Sequence, residues 1–304
     1  MGVGARHASP LHSTCGETPA GMPMDLPIRS VVHPTDFSEL SALAFGHALR
    51  IALSARSKLH LVHVEPHDDG AALAFPHVRR WLVQWGLAEE ADPPWVVARK
   101  LGIEVDTTVV KWQEPTRGLL GYLHDIPCDL TVLATRGGGG FEHWLRGSVS
   151  EIVSRHSAIP TLFIAAGASG FVNGLSGEVS LRRALVPVDF SPAPDQAIRT
   201  VQSLGRLLTG KDITLHLLHV GRSAPSVPAA SSVSGTWPPV ILRHGNVVQS
   251  IVDAAIEFEV DLIGMATAGH RNPLDVLRGS TTERVIRHAP CPVFALSAAS
   301  PSTG

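Results

Sequence analysis

The segment VVHPTDFS, Val31–Ser38, returns as ALVPVDFS, Ala184–Ser191, so that Asp36 falls over Asp189 at an offset of 153 residues. Working outward, the repetition continues. LHLVHV, Leu59–Val64, returns as LHLLHV, Leu215–Val220, at an offset of 156, and the stretch from Ala134 to Ile164 aligns without a gap onto Ala266 to Leu296 at 132. Three collinear matches define two copies of one unit. The drop from 156 to 132 leaves the second copy 24 residues shorter between its second strand and its glycine loop. A chain of 304 residues, at roughly 150 per domain, agrees with that count.

Within each copy short apolar runs alternate with segments of helical period. SVVHP (Ser30–Pro34), LHLVHV, LTVLAT (Leu130–Thr135) and TLFIAA (Thr161–Ala166) have the Val, Leu and Ile content of strands buried on both faces of a parallel sheet. Ser38 is placed to cap a helix that turns Leu43, Phe45, Leu49 and Ile51 toward the sheet, and Ser191-Pro192 to start its counterpart. The β-α-β-α order predicts a parallel sheet with helices on both faces.

Residues 1–27 read as a disordered tail, 28–166 as the first unit, 167–181 as a linker and 182–298 as the second unit. The linker rests on GASGFVNGLSGEVS (167–180), whose glycines suit neither helix nor strand. In the second unit the polar, proline-interrupted SAPSVPAASSVSG (Ser223–Gly235) stands where the first has FPHVRRWLVQWGLAEE (Phe75–Glu90), a helical pattern. One helix is therefore expected to be missing from the second copy.

Composition excludes several classes. With 44% hydrophobic and 17% charged residues there is apolar material for two cores, which rules out global disorder. A formal charge of −2 supplies no basic field for a nucleic-acid backbone. Three cysteines at long, unpatterned spacings (Cys15, Cys128, Cys291) fit neither a disulfide framework nor a zinc site. No apolar run approaches the roughly 18 residues that span a bilayer, and the N-terminus has no apolar core of a signal peptide. A cytoplasmic protein without a membrane partner is expected.

The candidate chemistry lies after the fourth strand of each copy. Gly137 is followed by nine residues and then Gly147-Ser148; Gly269 is followed by nine and then Gly279-Ser280. A loop that leaves the carboxyl end of a parallel strand and enters a helix aims unpaired N–H groups and the positive end of the helix dipole at the crevice, where phosphate is the usual occupant. Glycine allows close approach and positive φ, and Ser148 and Ser280 add a hydroxyl. The alternative is that the glycines only turn the chain and the serines only cap a helix. Recurrence at one structural position favours binding.

Other motifs point to structure. His60 and His63, like His216 and His219, stand three apart on a strand and face opposite ways, so neither pair can chelate one ion. Arg155-His156 and Arg287-His288 suit the negative end of a helix dipole. Cys128 and Cys291 read as buried, inert thiols, and Trp81, Trp85 and Trp95 as packing over a pocket or at an interface. No nucleophile with base and orienter, no paired carboxylates and no P-loop lysine is present, so no catalytic residues are assigned.

These residues and spacings resemble the nucleotide-binding branch of the universal stress protein family, as a tandem member with two universal stress domains. That branch has Gly-x2-Gly-x9-Gly-Ser/Thr after its fourth strand, an Asp ending the first strand and a Val ending the second. The resemblance implies two tandem Rossmann-like (flavodoxin-like) α/β sandwiches, each with a five-stranded parallel sheet, and ATP across the carboxyl ends of the strands. It implies that Pro34, Thr35 and Asp36 line the first pocket with Val64 beside adenine, and that Ala134, Gly137, Gly147, Ser148, Val149 and Ser150 hold ribose and phosphates. The matching second set is Pro187, Val188, Asp189, Val220, Ala266, Gly269, Gly279, Ser280, Thr281 and Thr282. In both copies the family's first loop glycine is alanine (Ala134, Ala266), which implies weakened binding. Asp36 and Asp189 beside phosphate call for a cation, taken as Mg²⁺ held mainly by the phosphates. The resemblance further implies an intramolecular pseudo-dimer joined through edge strands, with homodimerisation left open. Three functions remain open: an ATP-binding regulatory stress protein, a slow ATPase or phosphotransferase, and a nucleotide-free scaffold.

Overall fold

The computed structural model describes residues 27–66, 75–135, 159–191, 194–227, 237–268 and 281–298. β1 (Ser30–Pro34) is buried along its whole length and runs parallel to both its neighbours, β2 (Lys58–Glu65) and β4 (Leu130–Thr135). β3 (Glu104–Lys111) adds outside β2, and β5 (Thr161–Ala165) outside β4. The second half repeats this with β6 (Arg183–Pro187), β7 (Thr214–Val220), β8 (Val240–Arg243), β9 (Leu262–Ala268) and β10 (Val293–Ala298). The orders β3-β2-β1-β4-β5 and β8-β7-β6-β9-β10 are the Rossmann-like doubly wound arrangement, with strand order reversing at β1 and again at β6.

The two parallel sets are not separate sheets. β5 and β10 pair antiparallel, with Phe163 opposite Val293 and Thr161 opposite Ala295, so that one ten-stranded sheet runs through the molecule. Left as edges, these apolar strands would expose unpaired backbone groups; pairing removes both edges at once.

Seven helices cover the sheet among the described residues: α1 (Glu39–Ala55), α2 (Val78–Gln84), α3 (Pro94–Leu101), α4 (Pro115–Asp125), α5 (Asp195–Thr209), α6 (Val247–Glu257) and α7 (Thr281–His288). Ser38 caps α1 as the sequence predicts, its Oγ accepting the Ser41 N–H at 3.2 Å. Phe45, Leu49 and Ile51 then go fully into the core, each contributing about 1.5–3 kcal/mol by burial. The counterpart helix corrects the expectation for Ser191: α5 begins at Asp195 behind Pro194. Pro194, which has no backbone N–H to give to a helix interior, stands at the N-cap. α2 and α3 fill the β2–β3 connection; most of Ser223–Gly235, where the second copy is expected to lack a helix, lies outside the described residues. No helix among the described residues is long and apolar enough to cross a membrane. The tail reading for residues 1–26 lies outside the described residues.

The glycine-bearing segment between the halves is a packed corner rather than a loose linker. Phe171 and Val172 are buried, and Val172 forms an antiparallel bridge with Val179. Asn173 Oδ1 accepts the N–H groups of Leu175 and Ser176. The segment is fastened to the first half through α1 and α2. His47 Nε2 accepts the Phe171 and Val172 N–H groups, and Trp85 Nε1 donates to the Gly174 carbonyl at 3.1 Å. Gly170 serves close approach, since a Cβ there would lie 2.5 Å from His47 Cε1. Glycine content alone reads the same for a mobile link and for a tight corner. Trp81 packs edge-on against Phe45 and Trp85, as the packing role expected for this cluster requires, whereas Trp95 is exposed with Arg99 over its ring.

Candidate functional site

The reversal of strand order at β1 opens a crevice at the carboxyl ends of the strands. The Thr35 N–H donates to the Val62 carbonyl at 2.8 Å, which carries the chain one residue past β1 before it turns. The turn is built from side chains. Thr35 Oγ1 accepts the Phe37 N–H at 3.1 Å, and Asp36 Oδ1 accepts both the N–H and the hydroxyl of Ser38, at 3.0 and 2.6 Å. Phe37 takes the left-handed φ of 61° and lays its ring on His63, 4.4 Å between centroids, with Phe75 edge-on at 5.5 Å. A bulky residue in that region is strained, and these ring contacts help hold it there.

A cleft of about 110 Å³ results. Pro34, Thr35, Asp36 and Val64, four residues expected from the sequence, line it together with Val62, His63, Pro115 and Leu119. The last two come from α4, which approaches the sheet so closely at Gly118 that a Cβ would lie 2.6 Å from Val64 Cγ1 and 2.8 Å from Trp112 Cβ. Ala134 is half-buried in β4, paired with Ile164, and does not line the cleft. Gly137, Gly147, Ser148, Val149 and Ser150 lie outside the described residues.

Beneath the turn runs a buried polar string. His33 Nδ1 lies 3.0 Å from the Val132 carbonyl and Nε2 lies 3.3 Å from Ser41 Oγ, which meets Thr35 Oγ1 at 2.9 Å. Burial pushes the His33 imidazole down to about 4, so it is neutral near pH 7, with the carbonyl requiring the N–H at Nδ1.

His63 was not among the expected site residues. Its Nδ1 reaches the Thr35 carbonyl at 2.7 Å, and in the second half His219 Nδ1 reaches the Val188 carbonyl at 2.9 Å. Each ties down the residue preceding the aspartate. The recurrence of His in LHLVHV and LHLLHV was the available signal. The other two histidines go elsewhere, His60 to the Tyr122 hydroxyl at 3.0 Å and His216 onto the Phe258 ring at 4.6 Å, so neither pair shares a ligand.

In the second half Pro187 ends β6, Val220 ends β7, and the Val188 N–H donates to the Leu218 carbonyl at 2.8 Å, reproducing the first half. Asp189 differs from Asp36. Its Oδ1 accepts the Phe190 N–H at 2.8 Å and stands 3.8 Å from His219 Nδ1. Phe190 lies 64% exposed, where its counterpart Phe37 is covered by Phe75. Ala266 sits in β9 opposite Leu296, and Thr281 and Thr282 form the first turn of α7, Thr282 buried. Gly269, Gly279 and Ser280 lie outside the described residues. Arg287 and His288 occupy the last turn of α7 as expected, while Arg155 and His156 are not described. Burial raises the thiols of Cys128 to about 11 and Cys291 to about 12, which keeps both protonated and unreactive.

The cleft offers apolar walls from Val62, Val64, Pro115 and Leu119, with main-chain polar groups and one carboxylate at the rim. That donor set fits a flat heteroaromatic ring with a polar edge. The residues present at this cleft therefore fit the base of a nucleotide.

The family described as Universal stress protein family matches residues 27–165 and 234–297 of the chain. A curated universal stress protein of Methanocaldococcus jannaschii is 27% identical over 141 residues, covering 45% of this chain and 81% of the relative. Among solved structures, a universal stress protein of Archaeoglobus fulgidus superimposes with a TM-score of 0.59 at 22% identity, over 91% of this chain and 98% of that one. A putative universal stress protein of Pseudomonas aeruginosa gives 0.58 at 15% identity, over 90% and 94%. At these identities the two structures support the fold.

Proposed function

Because the chain belongs to the universal stress protein family, we propose that it is an ATP-binding stress-response module that acts through nucleotide-dependent changes of conformation or partner. The observation that carries this reading is the cleft at the strand-order reversal, which gathers Pro34, Thr35, Asp36 and Val64 from the ends of adjacent strands. Adenine fits between Val64 and the α4 side chains Pro115 and Leu119. Ribose and phosphates then extend toward Ala134 and the loop carrying Gly137, Gly147, Ser148, Val149 and Ser150, whose spacing suits backbone N–H donation to phosphate. Mg²⁺ held mainly by the phosphates neutralises the charge beside Asp36. The second set, from Pro187 to Thr282, forms the weaker site, since no helix among the described residues covers Phe190.

The β5–β10 pairing supports reading the two units as a pseudo-dimer within one chain. The mass of the protein in solution tests for a homodimer. Calorimetric titration with ATP and Mg²⁺ tests the central reading: binding at one strong and one weak site is expected, and a protein that purifies empty and takes up no ATP overturns it. Sustained release of ADP, abolished by substitution of Asp36 and Gly147, would instead establish an ATPase.

A further inference from the structure

A second concavity lies away from the strand ends, at the junction of the halves. It has a volume of about 780 Å³ and is walled by α1 of the first half, the connecting corner, and the C-terminal end of α5 in the second half. Three cationic side chains line it, Arg50, Arg182 and Lys211, against one acid, Glu178. Among the described residues none of the three cations is paired with a carboxylate. Glu178 is engaged locally, Oε2 accepting the Ser176 hydroxyl at 3.1 Å. Arg50 is the informative member. Its Nε is buried and has no hydrogen-bond partner, and burial alone lowers its guanidinium from the ordinary value. A guanidinium partly withdrawn from water and without a carboxylate partner favours an anion beside it. Ser180 and Thr209 add polar groups to the lining, although the Thr209 hydroxyl already donates to the Gly205 carbonyl at 2.8 Å.

We propose that this cleft is an anion site, separate from the two strand-end crevices, that takes a small phosphorylated compound bearing at least two negative charges. A forked guanidinium from α1, a second just past the corner and an ammonium just past the C-terminal end of α5 suit the several oxygens of a phosphate group. The excess of two positive charges over Glu178 matches a dianion. Its volume is within the range of small-molecule sites, which run to about 300–1,000 Å³. Because its walls come from both halves, an occupant joins α1 to α5 directly.

The test is calorimetric titration of the full chain with inorganic pyrophosphate at low salt. Wild type binds, and Arg50→Gln and Lys211→Glu weaken binding about tenfold or more, as loss of a charge-assisted contact does. Lys211 is exposed, so its variant tests the cleft without disturbing the core. Absence of pyrophosphate binding, or equal binding by Lys211→Glu, overturns the proposal. Equal affinity for succinate overturns the assignment to phosphate. ATP uptake with no pyrophosphate binding at the cleft would leave the nucleotide reading intact and remove only this one.

Discussion

His47 Nε2, in the middle of α1, accepts the backbone N–H of Phe171 at 3.1 Å and that of Val172 at 3.2 Å, while its Nδ1 meets the Leu43 carbonyl at 2.9 Å. The ring is therefore neutral, with its proton on Nδ1 and both corner amides on Nε2. Phe171 closes over it edge-on at 4.6 Å. One buried imidazole thus fixes the chain path from the first half to the second.

Stability is expected to depend on this neutrality. Burial lowers both His47 and His33 to about 4 from 6.5. As pH falls through 6.5 the unfolded chain takes up protons that the folded one refuses. The contribution is therefore complete above pH 6.5 and is lost progressively as pH falls toward 4, by up to roughly 3 kcal/mol for each histidine. Urea unfolding across that window should show the midpoint falling on acidification, with a shallower slope in His47→Gln. A flat profile would exclude the assignment.

The corner glycine gives a steric test. A Cβ at Gly170 meets His47 Cε1 at 2.5 Å, so Gly170→Ala must displace either the ring or the corner and should cost about 1–3 kcal/mol. Gly121→Ala is the control: the added methyl has nothing within 4 Å, and on a helix the change should stabilise by up to about 1 kcal/mol. Thermal unfolding of the two variants should move in opposite directions.

The distinction between what the sequence reveals and what it conceals follows the range of the interactions. Ser38 and the apolar face of α1 are local and readable, and the strand ends carrying Pro34, Thr35, Asp36 and Val64 repeat between the copies, although only the family resemblance marks those four as pocket residues. His47 and Phe171 are 124 residues apart, and no local pattern couples them. Thr161–Ala165 reads correctly as a buried strand, but nothing in its residues names β10 as a neighbour. Pro115 and Leu119 escaped because they follow β3, an outer strand whose EVDTTVVK lacks an apolar run and has no recognisable twin in the second copy.

The crevice can be narrowed from its far wall. A methyl at Gly118 would press on Val64 Cγ1 at 2.6 Å, and the Trp112 Cβ at 2.8 Å blocks retreat. Gly118→Ala should therefore push Val64 into the space proposed for adenine and weaken ATP binding about tenfold, with less effect on a second, weaker site. Isothermal titration resolves the two. Unchanged affinity would place adenine elsewhere.

The two aspartates, aligned in sequence, should separate in stability. Asp36 Oδ1 receives the N–H and hydroxyl of Ser38, the residue whose Oγ caps α1, so the carboxylate orients the cap as well as facing the cleft. Asp189 Oδ1 receives the N–H of Phe190, in a half where α5 starts behind Pro194 without a side-chain cap. Asp36→Ala should cost about 1–2 kcal/mol, as loss of a helix cap does, and Asp189→Ala less. Asp36→Asn retains an acceptor oxygen and should recover most of the loss. If Asp36→Ala unfolds no more readily than Asp189→Ala, then Asp36 does not hold the start of α1, and its conspicuous place at the end of β1 owes nothing to the helix.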